Sequence, residues 1–127
     1  MASNFSNKNR VLHVGAQGDL ISLWGTGPDR IVAVGGRSQG IITRYDGVEW
    51  TTVTMVPPLE LLPGLNGVWM RTPDTIHIAG SQGVLATVDF DSLAVIEFEV
   101  DVNATLDFHA LQGAEDGHLV TVGGNFR

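Results

Sequence analysis

The side chains able to do chemistry are few and scattered. Four histidines, His13, His77, His109 and His118, share no i, i+2 or i, i+4 spacing, so local geometry places no two imidazoles to hold one metal ion. His77 falls in an apolar run expected to be a buried strand and reads as a hydrogen-bonded core residue. Glu97, Glu99 and Asp101 alternate with Ile96, Phe98 and Val100, the period of a half-buried strand. Three carboxylates on one face are oxygen ligands suited to a hard cation, but a charged edge strand guarded against pairing explains them more simply. The run Gly35-Gly36-Arg37-Ser38-Gln39-Gly40 is glycine-rich. It opens onto a strand, which removes the helix N-terminus that phosphate binding exploits. No G-x-S-x-G, H-E-x-x-H or Walker loop is present, and without cysteine there is no thiolate nucleophile, thiolate metal site or disulfide. No catalytic group, cofactor or metal site is expected.

One polar feature recurs. Ser38-Gln39-Gly40 returns as Ser81-Gln82-Gly83, with Ala16-Gln17-Gly18 a weaker echo. Hydrogen-bonding pairs repeated on a rigid frame raise avidity without new contacts, which makes Arg37, Ser38, Gln39, Ser81 and Gln82 candidate ligand-binding residues, with His109 added for its place on the first strand of the third repeat. The plainer reading is that Ser and Gln cap a turn while Gly supplies a positive φ.

These positions recur because the whole chain repeats. Gly35, Gly80 and Gly123 each end a β-rich run, at steps of 45 and 43 residues, a period that marks a repeat fold. Trp24, Trp69 and Gln112 stand eleven residues before them, and Pro28, Pro73 and Asp116 seven before. Each period reads as four short strands, at 20–24, 31–34, 41–45 and 49–55 in the first copy and at 65–69, 76–79, 84–88 and 93–100 in the second. The third copy has only 108–112 and 119–122. Asp46-Gly47 signals a tight hairpin, and Asp89-Phe90-Asp91-Ser92 a looser one. The expected class is all-β, a β-propeller of about three four-stranded blades per chain.

The pattern L-x-G-V-W-G-x-x-P-D-x-I-x-A-V-G-x-x-G-x-I-x-x-Y-D-G-x-x-W resembles the blade repeat of BNR-like and photosystem-assembly-factor-like β-propellers. Leu65, Gly67, Val68, Trp69, Pro73, Asp74, Ile76, Ala79 and Gly80 carry it in the second copy. Ile31, Ala33, Val34, Gly35, Tyr45, Asp46, Gly47 and Trp50 carry it in the first. The resemblance implies the blade, and a protein, pigment or glycan as ligand. It supports a glycosidase less well, because Thr43-Arg44-Tyr45-Asp46-Gly47 departs from the sialidase-type Asp box S-x-D-x-G-x-x-W. In a ring of blades His109 would lie near the axis.

The chain has 127 residues, 43% of them hydrophobic, and a formal charge of −7. That is one domain's length with material for a core, and the charge argues against a nucleic-acid partner. Charge is also uneven, since residues 72–126 hold nine acidic side chains and no Lys or Arg. With no apolar leader near the N-terminus and no run long enough to span a membrane, a soluble, cytoplasmic protein is expected. Residues 55–64, with Pro57-Pro58, read as a connection folding back over the core or as a projecting arm.

Arg10, Val11, Leu12, His13 and Val14 read as an outer strand detached from its own blade, while the third copy stops after two strands. The expected domain is a half-propeller over 1–127, with blades at 20–55, 65–100 and 108–127, the last completed by 10–14 of a neighbouring chain. Leu119, Val120, Val122 and Phe126 would join those five residues in assembly. Two chains make six blades, within the usual four to eight, so a strand-exchanged homodimer is expected. The alternative is that the chain begins a longer propeller. A non-catalytic interaction or scaffold module of unknown protein partner is the first functional expectation, a lectin-like glycan-binding propeller the second, and a small glycan-acting hydrolase or lyase the third.

Overall fold

In the computed structural model of the protein, residues 19–54, 62–100 and 107–124 are described. Their order is β1 (Leu20–Gly27), β2 (Arg30–Gly35), β3 (Ile41–Tyr45), β4 (Trp50–Val53), β5 (Leu65–Thr72), β6 (Thr75–Gly80), a 3-10 turn (Ser81–Gly83), β7 (Val84–Asp89), β8 (Val95–Val100), β9 (Asp107–Gly113) and β10 (Leu119–Gly124). The chain is all-β, in three antiparallel sheets ordered β1-β2-β3-β4, β5-β6-β7-β8 and β9-β10. Every pair of bonded strands is consecutive in sequence, so hairpins make all connections within a sheet.

Face-to-face packing follows from the strand period. In β7 buried and half-buried residues alternate strictly, whereas the last four residues of β2 are all buried, as in a strand covered on both sides. Val32, Val34 and Ile42 of the first sheet meet Leu65, Val68, Ile76, Ile78, Ala86 and Val88 of the second in one apolar core, joined by Leu62, Met70, Phe90 and Leu93. Between sheets, β1 and β2 pack on β5, and β5 and β6 pack on β9. Thr43 is fully buried, and its hydroxyl is matched by that of Thr52 across the strand pair at 2.9 Å.

The repeated glycines have a steric cause. A Cβ at Gly35, Gly80 or Gly123 would overlap the carbonyl oxygen of Asp19, Gly64 or Asp107 respectively, in each copy the residue sixteen positions earlier. The same oxygens accept the next N–H, Gly36 N to Asp19 O at 2.9 Å and Ser81 N to Gly64 O at 2.8 Å. Each first strand is thereby clamped to the end of its second, and no side chain fits at the clamp.

Several expected boundaries move. The first strands continue past Trp24 and Trp69 to Gly27 and Thr72, which shortens each following turn to Pro28-Asp29 or Pro73-Asp74. Bulges after Gly25 and Trp69 absorb the extra residues. Asp46-Gly47 turns within a four-residue loop, where Gly47 takes φ 98° and Asp46 Oδ1 accepts the N–H groups of Val48 and Glu49. Tyr45 and Trp50 close that hairpin as a directly opposed pair with ring centroids 5.1 Å apart. Leu93, expected to start a strand, sits in the turn at φ 58°. Burial of its side chain offsets the roughly 1 kcal/mol that a left-handed conformation costs. Ile96 and Phe98 were expected to face inward but are exposed. β8 is the outermost strand of its sheet, and a register shift beside Val88 breaks its alternation.

Candidate functional site

The two Ser-Gln loops lie side by side around the chain entering β5. Gly64 sits against the backbone oxygens of Gly36 and Arg37, leaving no room for a Cβ, while its own carbonyl accepts from Ser81. Gly40 N donates to Leu62 O at 2.7 Å. Arg37, Ser38, Gln39 and Gln82 are exposed and Ser81 is half-buried. The two loops place their positive φ differently. In the first, Gly36 rather than Gly40 takes the positive φ, and Gly40 is small because Pro63 O occupies the place of a Cβ. In the second, Gln82 itself adopts φ 63° before Gly83 at 70°. The Gln82 N–H donates to Asp107 Oδ1 at 3.0 Å, tying the loop to the start of β9. Arg37 reaches Asp19 at 3.5 Å with both side chains largely in water, a contact of little energetic weight. His109, also near the start of β9, shares a hydrogen bond with Gly124 O at 2.9 Å.

Trp24 and Trp69 link one sheet to the next. Trp24 Nε1 donates to Met70 O at 3.2 Å, and the Trp69 ring occupies the space a side chain at Gly113 would need. The indoles are 6.0 Å apart, and the Arg71 guanidinium lies 4.7 Å from the Trp69 ring centroid. Arginines repeat the link at the turn end of the sheets. Arg71 donates to Ala114 O at 2.7 Å and His118 O at 3.3 Å, Arg44 donates to Phe90 O and Asp91 O, and Arg30 pairs with Asp91 at 2.7 Å. Arg30 and Arg44 both lie over the Phe90 ring. The Asp91 bond raises the Arg30 pKa further.

Among the described elements, β9 packs on β5 and β6 of the second sheet. A cavity of about 240 Å³ opens there, lined by His77, Leu85, Thr87, Glu97, Glu99 and Leu119 together with Ile78, Ala86 and Phe98. His77, Thr87 and Glu97 form one cross-strand row. His77 Nδ1 and Thr87 Oγ1 are 3.1 Å apart, and the imidazole stacks on Trp69 at 5.9 Å. His77 is thus hydrogen-bonded but half-buried on a cavity wall, not in the core. Burial lowers its pKa and the Arg71 charge adds to this, against an opposing pull from Glu97.

No family model, curated protein or solved structure matches the chain. Among the described residues no three His, Asp or Glu side chains converge as metal ligands, and no helix is long and apolar enough to cross a membrane. Arg10, Val11, Leu12, His13, Val14, Asp101 and Phe126 lie outside the described residues, as does the Pro57-Pro58 connection. Leu119, Val120 and Val122 are exposed on β10.

Sequence reasoning missed Leu85 and Thr87 on the cavity wall and Asp107 beneath Gln82. The parity of β7 carries the signal for the first two, since they sit two apart between buried residues, but only pairing with β6 and β8 shows what they face.

Proposed function

We propose that this protein is a non-catalytic β-propeller interaction module, each chain a half-ring of three blades that a second copy closes to six. One observation carries the reading. Among the described residues the β9-β10 sheet has two strands where its counterparts have four, and the cavity over β7 and β8 lies where a third and fourth strand would pack. Its apolar floor and its two carboxylates, Glu97 and Glu99, suit an extended apolar segment with a basic end. Residues 10–14 of a second copy, Arg-Val-Leu-His-Val, make such a segment, with Lys8 and Arg10 to meet the carboxylates. Proline at position 12 removes a ladder donor from such a strand and leaves its acceptor unmatched, at a cost of about 1–3 kcal/mol, roughly ten- to a hundredfold in association. Analytical ultracentrifugation of Leu12→Pro should show that loss, and unchanged self-association would contradict the exchange.

Glycan recognition is a second reading, supported by the two exposed Ser-Gln loops meeting around Gly64. Binding on a glycan array that Arg37→Ala and Gln82→Ala weaken together would favour it. A hydrolase gains little support from the cavity. Glu97 and Glu99 stand on one face of one strand, whereas acid and base in glycosidases flank the bond from two sides.

A further inference from the structure

We infer that the outer face of β9-β10 in one copy and the outer face of β1 in another are the two halves of a single heterologous interface, in the register that the chain already uses between its own sheets. The inference rests on the homodimer reading above and fixes which surfaces meet.

The repeat supplies the argument. Leu20, Leu65 and Phe108 are equivalent positions, as are Leu23, Val68 and Leu111. In the second copy the preceding sheet covers them, leaving Leu65 0% and Val68 3% exposed, and Leu111 in the third is 8% exposed. In the first copy no described sheet precedes, and Leu20 and Leu23 are 38% and 64% exposed. The opposite end mirrors this. Val32 and Val34 are fully buried against the second sheet, but their equivalents Val120 and Val122 are 55% and 60% exposed. Each end of the stack thus leaves open the apolar positions that its counterparts bury, and the two open faces are the two sides of a junction already formed twice.

The junction needs only the strands available. Within the chain, the first two strands of one sheet pack on the first strand of the next, so β9 and β10 would suffice to cover β1. The rest of that face needs no cover, because Ala33, Ile41 and Thr43 are already buried. Superposing the repeats sets Val120 and Val122 of one copy over Leu20 and Leu23 of the other. Gln112, at the tryptophan position, would lie over Gly25, the equivalent of Met70 and Gly113. Its amide could donate to Gly25 O as Trp24 Nε1 does to Met70 O. Because the two faces differ, two copies form two identical junctions and close.

The absence of cysteine makes the test direct. Leu23→Cys and Val122→Cys each replace an exposed side chain, and circular dichroism checks that each variant folds. A bis-maleimide matched to the ~10 Å spacing of packed sheets should leave each variant uncross-linked alone and join the two when mixed. A chain carrying both substitutions should give a two-chain product without a ladder of longer ones. Cross-linking of Leu23→Cys to itself would overturn the inference, as would no product in the mixture. If ultracentrifugation still finds two chains in that mixture, the interface assignment fails while the homodimer stands; a single-chain mass overturns both. As a second measurement, Leu23→Arg and Val122→Arg should each weaken self-association at least tenfold.

Discussion

Between the first two sheets Val34, Ile42, Ile78 and Phe90 fill the space from the inner strands to the turn end, all fully buried. Between the second and third, Leu111 packs under Gly67 and Trp69 covers Gly113, but beyond Leu119 the contact gives way to the cavity of His77, Thr87, Glu97 and Glu99. Both junctions share two devices, a first-strand tryptophan laid on the next sheet and an arginine reaching that sheet's backbone carbonyls. The outer parts differ because, among the described residues, one sheet has four strands to contribute and the other two. A junction of this kind is begun by its first strands and completed by its last ones.

Substitutions on the two sides should separate these roles. Phe90→Ala, which empties the filled junction and removes the platform under Arg30 and Arg44, should cost about 3–5 kcal/mol in chemical denaturation. Leu119→Ala at the open junction should cost under about 1 kcal/mol, since little of that side chain's transfer energy is realised at an exposed site. Equal losses would erase the distinction. Gly80→Ala forces a Cβ into Gly64 O and should lower stability by about 1–3 kcal/mol, whereas Gly117→Ala, with open space around it, should meet only the cost of its positive φ, about 1 kcal/mol.

Acidity probes the open side through His77. Its folded pKa lies below the unfolded value near 6.5, so the unfolded chain takes up the proton first. Stability should fall as pH drops from about 6.5 toward the folded pKa and then level off, a step that His77→Gln removes from pH-dependent melting curves. Asp46 and Asp89 act at lower pH. Backbone N–H donors, Glu49 and Val48 for Asp46 and Ser92 for Asp89, depress both pKa values. The stability they contribute is present above the ordinary carboxylate range and is lost as pH falls through their folded values. The smallest effect should come from Asp91→Asn at the exposed pair with Arg30, close to the error of a denaturation curve and vanishing in high salt.

Much of this was legible in the sequence, for reasons that differ by element. Gly35, Gly80 and Gly123 could be found because a backbone oxygen excludes any other residue there, and a steric rule leaves a regular mark. Ile41 to Tyr45 is a strand with the bounds expected for it, held between glycine and aspartate turns. The inner strands were set too short, since the bulges after Gly25 and Trp69 depend on how Trp24 and Trp69 reach the next sheet. Gln82 at positive φ was hidden because its reason, the Asp107 carboxylate, lies 25 residues away. The cavity was hidden for the same reason, as His77, Thr87 and Glu97 meet only through strand pairing.

Sedimentation equilibrium of the full chain over a wide concentration range tests the unfinished ring most directly. Closure by a second copy requires a folded species of twice the 13.6 kDa chain mass, stable on dilution and lost in Val122→Arg. A folded species that stays at 13.6 kDa at every concentration would contradict it.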